Sequence, residues 1–75
     1  MKIYIEYCIK WNYEPEFDRV SKIILDINPN VILIGNPKPP RSGSFEITID
    51  GNLVYSKLLT NKFPNYEILN EILKG

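Results

Sequence analysis

From Lys2 to Tyr7 the chain alternates in polarity, with Ile3, Ile5 and Tyr7 in one phase and Lys2, Tyr4 and Glu6 in the other. A period of two carried by β-branched and aromatic residues predicts a strand with two unlike faces. The spacing then changes. Tyr13, Phe17, Val20, Ile24 and Ile27 recur in steps of three and four, which places one apolar stripe on a helix running from about Tyr13 to Asn28. Pro15 suits the first turn, where its missing N–H costs nothing, and Asn28-Pro29-Asn30 stops the helix.

Val31-Ile32-Leu33-Ile34 is short, wholly apolar and bounded by Pro and Gly, the pattern of a central strand covered on both faces. A strand, a helix and a strand in this length predict a right-handed βαβ unit with parallel strands. Between Gly35 and Gly43 stand Pro37, Pro39 and Pro40, which exclude helix and central strand and predict a long loop. Phe45, Ile47 and Ile49 alternate with Glu46, Thr48 and Asp50; Asp50-Gly51-Asn52 then turns the chain, and Leu53 to Ser56 resumes a strand. Tyr66, Leu69, Ile72 and Leu73 share one face of a last helix, with Pro64 near its start and Gly75 at its end. The predicted order is β-α-β-β-β-α: one α/β domain over residues 1–75, a four-stranded mixed sheet covered by two helices, without repeats, low-complexity tracts or linkers.

Length and charge narrow the partners. At 75 residues the core only just offsets the entropy of ordering the backbone. Nine basic and nine acidic residues leave no net field to attract a polyanion, which argues against nucleic acid and anionic membrane as partners. No apolar run approaches the roughly 20 residues of a membrane span, and the alternating N-terminal segment lacks the apolar block of a signal peptide. A single cysteine, Cys8, excludes an internal disulfide and fits the reducing cytoplasm. With no histidine, one thiol, scattered carboxylates and no glycine-rich phosphate loop, the parts for metal, hydrolytic and nucleotide chemistry are missing, and no resident cofactor is expected.

The remaining chemistry lies in the first loop, Tyr7-Cys8-Ile9-Lys10-Trp11-Asn12-Tyr13, which leads from a strand end into a helix N-terminus. A cysteine there lies near the positive end of the helix dipole with Lys10 close by, whereas Glu14, Glu16 and Asp18 act in the opposite sense; placement points to a partly exposed, reactive thiol. The alternative is a small apolar residue at the strand end, partly covered and idle. Of the aromatics crowded at this end, Tyr4, Tyr7 and Tyr13 read mainly as core, whereas Trp11 on a loop tip is of the type that anchors protein interfaces. Pro39-Pro40-Arg41-Ser42-Gly43 reads as a rigid loop rather than a polyproline ligand.

These residues together resemble the selenoprotein W family of thioredoxin-like proteins: Tyr7-Cys8 at the end of the first strand with Tyr13 beyond, Gly43-Ser44-Phe45-Glu46-Ile47 entering the hairpin, Gly51 in its turn, Ser56-Lys57, and Phe63-Pro64 before the last helix. The resemblance implies a thioredoxin-like fold, a redox lineage, and a Cys-x-x-Cys or Cys-x-x-selenocysteine loop whose first position is Cys8. The second position holds Trp11, so only half of the motif is present, and the resemblance to the selenocysteine members implies that Cys8 stands at the place of their resolving partner rather than of their attacker. A mixed disulfide formed there has no internal exit, and turnover needs an external thiol such as glutathione. Lys10, Trp11, Tyr13, Ser42 and Gly43 are the expected binding residues around it. Two functions follow from different classes: a monothiol redox protein acting through Cys8, or a non-catalytic protein-binding module that uses the loop surface around Trp11. Selenocysteine is encoded by UGA, one base from the tryptophan codon UGG, so the gene's codon at position 11 distinguishes a native tryptophan from a recoded position. A monomer is expected under reducing conditions, with a Cys8-linked dimer on oxidation.

Overall fold

The computed structural model describes residues Met1–Lys74. Its elements run β1 (Lys2–Tyr7), α1 (Glu14–Ile27), β2 (Ile32–Gly35), β3 (Phe45–Ile49), β4 (Asn52–Ser56), α2 (Lys57–Thr60) and α3 (Tyr66–Lys74). The strands form one mixed sheet in the order β2-β1-β3-β4. β1 pairs parallel with β2 and antiparallel with β3, and β3 pairs antiparallel with β4, with a register shift between Ile47 and Thr48.

The alternation of β1 does what its period requires. Ile3 stands opposite Leu33 and Ile49, and Ile5 opposite Gly35 and Ile47, so one face collects the apolar residues of three strands. Val20 and Ile24 from α1 and Leu69 from α3 pack on that face, closing a core that also contains Phe45, Val31 and Tyr55. Burying each such aliphatic side chain contributes about 1.5–3 kcal/mol, so this shared face supplies most of the stability of so short a chain. Asp50 and Gly51 both have positive φ (49° and 88°), as a two-residue hairpin turn of matching twist needs. Asp50 also accepts from the Lys2 N–H through Oδ1 (2.8 Å) and donates its own N–H to the Lys2 carbonyl (2.9 Å), tying the turn to β1.

Two expectations are corrected. The apolar run at 31–34 is not a central strand covered on both faces: β2 is an edge strand with only β1 beside it. Its Ile32 and Ile34 are 56% and 37% exposed. Only the opposite phase, Leu33 and Gly35, turns toward the helices, where Gly35 lies against Phe17 and Tyr7. Both longer helices join the one core, so among the described residues no helix lies on the other face, where Tyr4, Ile34, Thr48 and Leu53 are in register across all four strands. The second correction is an additional helix, α2, directly after β4. Ser56 is its N-cap and accepts from the Leu59 N–H (3.2 Å), while Asn61 ends it in the left-handed conformation. Among the described residues no helix is long and apolar enough to cross a membrane.

Candidate functional site

Parallel pairing of β1 and β2 brings the C-terminal ends of both strands to one end of the sheet, where residues 8–13, 36–44 and 57–63 meet. Asn36 fixes this end. With φ at 46° it leaves the strand geometry, and its side-chain amide pairs with the backbone of Tyr7: Tyr7 N–H donates to Asn36 Oδ1 (2.8 Å), and Asn36 Nδ2 donates to the Tyr7 carbonyl (3.1 Å). A side chain thus adds one more rung to the β1–β2 ladder immediately before the cysteine.

Cys8 continues the other ladder, its N–H donating to the Ser44 carbonyl (3.0 Å), and its own carbonyl accepts from the Tyr13 N–H (3.1 Å). Between them a turn closes with Asn12 N–H on the Ile9 carbonyl (2.9 Å), Asn12 taking a positive φ of 57°. These bonds draw Cys8 inward, and it is 1% exposed. The thiol is therefore not the partly exposed group expected from its place in the loop. The helix start is also engaged differently, because the Cys8 carbonyl, not its thiol, receives the Tyr13 N–H.

A cavity of about 440 Å³ opens beside the cysteine, lined by Cys8, Ile9, Lys10, Pro40 and Ser42. Of the binding residues expected from sequence, Lys10 and Ser42 share this cavity with Cys8. Trp11, Tyr13 and Gly43 form a separate group of contacts next to it. The Trp11 ring lies over Gly43 and meets Tyr13 edge-on (centroids 6.2 Å apart, 77°), and Trp11 is 56% exposed. Tyr13 in turn packs edge-on against Phe63 (4.8 Å), and Phe63 against the buried Phe45 (5.4 Å), with Lys57 Nζ 5.2 Å from the Tyr13 centroid and 5.3 Å from that of Phe63.

The loop that carries Pro40, Ser42 and Gly43 is held down by Arg41. Its backbone N–H and guanidinium both bind the Glu6 carboxylate (2.7–3.0 Å), and Nη2 lies 3.7 Å from Glu46. Burial alone would raise the Glu6 carboxyl, but the hydrogen bonds from Arg41, with help from Ser44 and from the guanidinium charge, outweigh it and hold the group below its ordinary range. The Glu6 carboxylate correspondingly holds Arg41 above its own. Glu46 stands directly opposite Glu6 and is buried. It accepts from Ser56 Oγ and from the N–H groups of Phe45 and Leu58 (3.3 Å each), linking β3, α2 and the Arg41 loop.

Asn36, Glu6, Arg41 and Glu46 all organise this site, and none of them was among the binding residues expected from the sequence. The signals available were an asparagine between Gly35 and Pro37, suited to a left-handed turn, and acidic residues in the polar phase of two strands. Among the described residues no group of three or more His, Cys, Asp or Glu side chains is placed to hold a metal.

Known proteins resemble this chain in sequence and in fold. Residues 2–75 match the model of the Rdx family. Over 58 residues the chain is 33% identical to Selenoprotein W of Danio rerio, which covers 76% of this chain and 67% of that protein. Over 74 residues it is 28% identical to Migration and invasion enhancer 1 of Bos taurus, covering 99% of this chain and 63% of the relative. This chain therefore spans about two thirds of the length of the curated relatives it matches. In three dimensions it superimposes on a Selenoprotein W-related protein from Vibrio cholerae with a TM-score of 0.80 at 21% identity, covering 97% of this chain and 91% of the other. A protein from Bordetella parapertussis matches with a TM-score of 0.82 at 17% identity, over 97% and 92% of the two chains. At those identities the likeness establishes the α/β thioredoxin-like fold alone. Taken with the sequence match along nearly its whole length, it makes this chain a member of the Rdx family, of the selenoprotein W type.

Proposed function

We propose that this protein acts as a monothiol in thiol–disulfide exchange, with Cys8 as the reacting sulfur and a small external thiol such as glutathione as co-substrate. The observation that carries this reading is the cavity beside Cys8. At about 440 Å³ it is of a size that admits a small peptide thiol, and Lys10 on its wall offers an ammonium to a carboxylate. The Cys8 thiolate attacks a disulfide RSSR′, forming Cys8–S–S–R and releasing R′S⁻. A second RSH, as thiolate, then attacks the R sulfur, forming RSSR and returning the Cys8 thiolate, so that the external thiol supplies the electrons that leave on R′S⁻. Trp11 stands at the position where the family carries its second cysteine or selenocysteine, which is why resolution has to come from outside the chain. Cys8 is covered, so exchange follows displacement of the side chains over the sulfur and is slow compared with a free thiol. A reducing, cytoplasmic setting and a monomeric state fit this reading.

Mild oxidation with glutathione should add one glutathione mass to the wild-type chain and none to Cys8→Ser, and alkylation of the native protein should be slower than that of the urea-unfolded chain. A thiol that forms no adduct over the whole pH range of alkylation would sink the redox role. A second reading, a non-catalytic binding module, is favoured by the exposure of Trp11 on a surface fixed by Gly43 and Tyr13; Trp11→Ala should then weaken partner binding while leaving the fold intact.

A further inference from the structure

We propose that the end of the sheet where residues 8–13, 36–44 and 57–63 meet docks an acidic segment of another protein, which sets carboxylates among its lysines and an apolar side chain against Trp11. The inference deepens the docking reading of Trp11 and is independent of exchange at Cys8.

The chain is neutral as a whole, but the topology sorts its charges. With Glu14, the first residue of α1, counted among them, the segments at this end carry Lys10, Lys38, Arg41, Lys57 and Lys62 and a single acidic residue. Arg41 is committed to Glu6 and Glu46. Counting those two carboxylates with the loops, five cations face three anions, a balance of +2; the rest of the chain has four cations and six anions, a balance of −2. Among the described residues Lys10, Lys38, Lys57 and Lys62 have no carboxylate within ion-pair distance. Lys10, Lys38 and Lys62 are exposed, and Lys57 lies half-buried over two rings. The remaining carboxylates are along α1, where Glu16 is already bound to Arg19, along α3, and at the Asp50 turn. Beyond a Debye length of about 8 Å the neutral total prevails, so what a partner meets on contact is this local surplus.

The apolar half of the surface is prearranged. Trp11 is held against Gly43 and Tyr13 before any partner arrives, so it loses little freedom on binding. Lysines are point charges without the bidentate fork that reads phosphate, and four of them fall short of the roughly six to ten contacts with which proteins grip a nucleic-acid backbone. Carboxylates interleaved with an apolar residue match both halves.

Trp11 is the only tryptophan, so its emission reports directly on this surface. The probe is a peptide of about twelve residues alternating glutamate and leucine, free of Trp and Cys, beside its glutamine-for-glutamate counterpart; at low salt the acidic peptide should shift the emission and the neutral one should not. Raising salt to a few tenths molar should weaken binding about tenfold. Lys10→Gln combined with Lys38→Gln should weaken it by a similar factor without lowering the melting temperature, since both side chains are exposed. Cys8→Ser should bind as wild type, which separates this outcome from failure of the redox reading. Equal response to both peptides would leave docking at Trp11 standing and overturn the acidic chemistry. No response to either, or tighter binding to polyuridine or phosphatidylserine vesicles, overturns the proposal.

Discussion

The Trp11 ring rests on the backbone of Gly43, so closely that a Cβ added there would stand 3.0 Å from Cζ3. Gly43 also has φ at +74°. Gly43→Ala therefore meets two penalties, the left-handed conformation at about 1–2 kcal/mol and a ring that has to move. Chemical denaturation should show a loss of that order, and the Trp11 emission should move to the red as the ring leaves its support. An unchanged spectrum would mean that the indole does not depend on this contact.

Asn36 and Tyr7 give a second prediction. Asn36→Ala removes both partners of the Tyr7 backbone and should cost about 1–3 kcal/mol, since the orphaned groups are partly buried. Because Tyr7 precedes Cys8, the variant should also raise the alkylation rate of the thiol at temperatures where the protein stays folded. Mass spectrometry after a timed iodoacetamide pulse measures it.

Glu46 and Glu6 should respond unequally to truncation, although they face each other across two strands. Glu46→Ala strips a buried acceptor from Ser56, Phe45 and Leu58 and should lower stability by about 1–3 kcal/mol. Glu6→Ala exposes its partners to water and should cost less. Urea midpoints for the two variants decide the order.

Acid should loosen the Arg41 loop. The Glu6 carboxyl titrates below its ordinary value of 4.5 in the folded chain, so its contribution is full above that pH and is lost as the pH falls through the lower, folded value. Arg41→Ala should flatten this part of the stability profile while leaving the plateau at neutral pH only slightly lower. A pH series of melting temperatures for both proteins tests the sign.

Elements whose period is local were legible in the sequence. The alternation of Ile3, Ile5 and Tyr7, the helical stripe through Val20 and Ile24, and the Asp50-Gly51 turn each state their conformation within a few residues. The edge position of β2 was not legible, because an apolar run does not say which strands flank it, and Ile32 and Ile34 face outward despite their composition. The four-residue α2 is too short for a period to show. At the site, residue types pointed to the right loop, but the burial of Cys8 comes from Ser44, and the geometry of Tyr7 from Asn36, 29 positions away. Such pairings come from the closed sheet and leave no local pattern.

The edge-on rings that run from Trp11 through Tyr13 and Phe63 to Phe45 connect the outermost tip of the molecule to its centre. Phe45 stands on β3, one of the two inner strands, so a partner that moves the Trp11 ring should disturb packing in the core as well as on the loop, through contacts at 6.2, 4.8 and 5.4 Å.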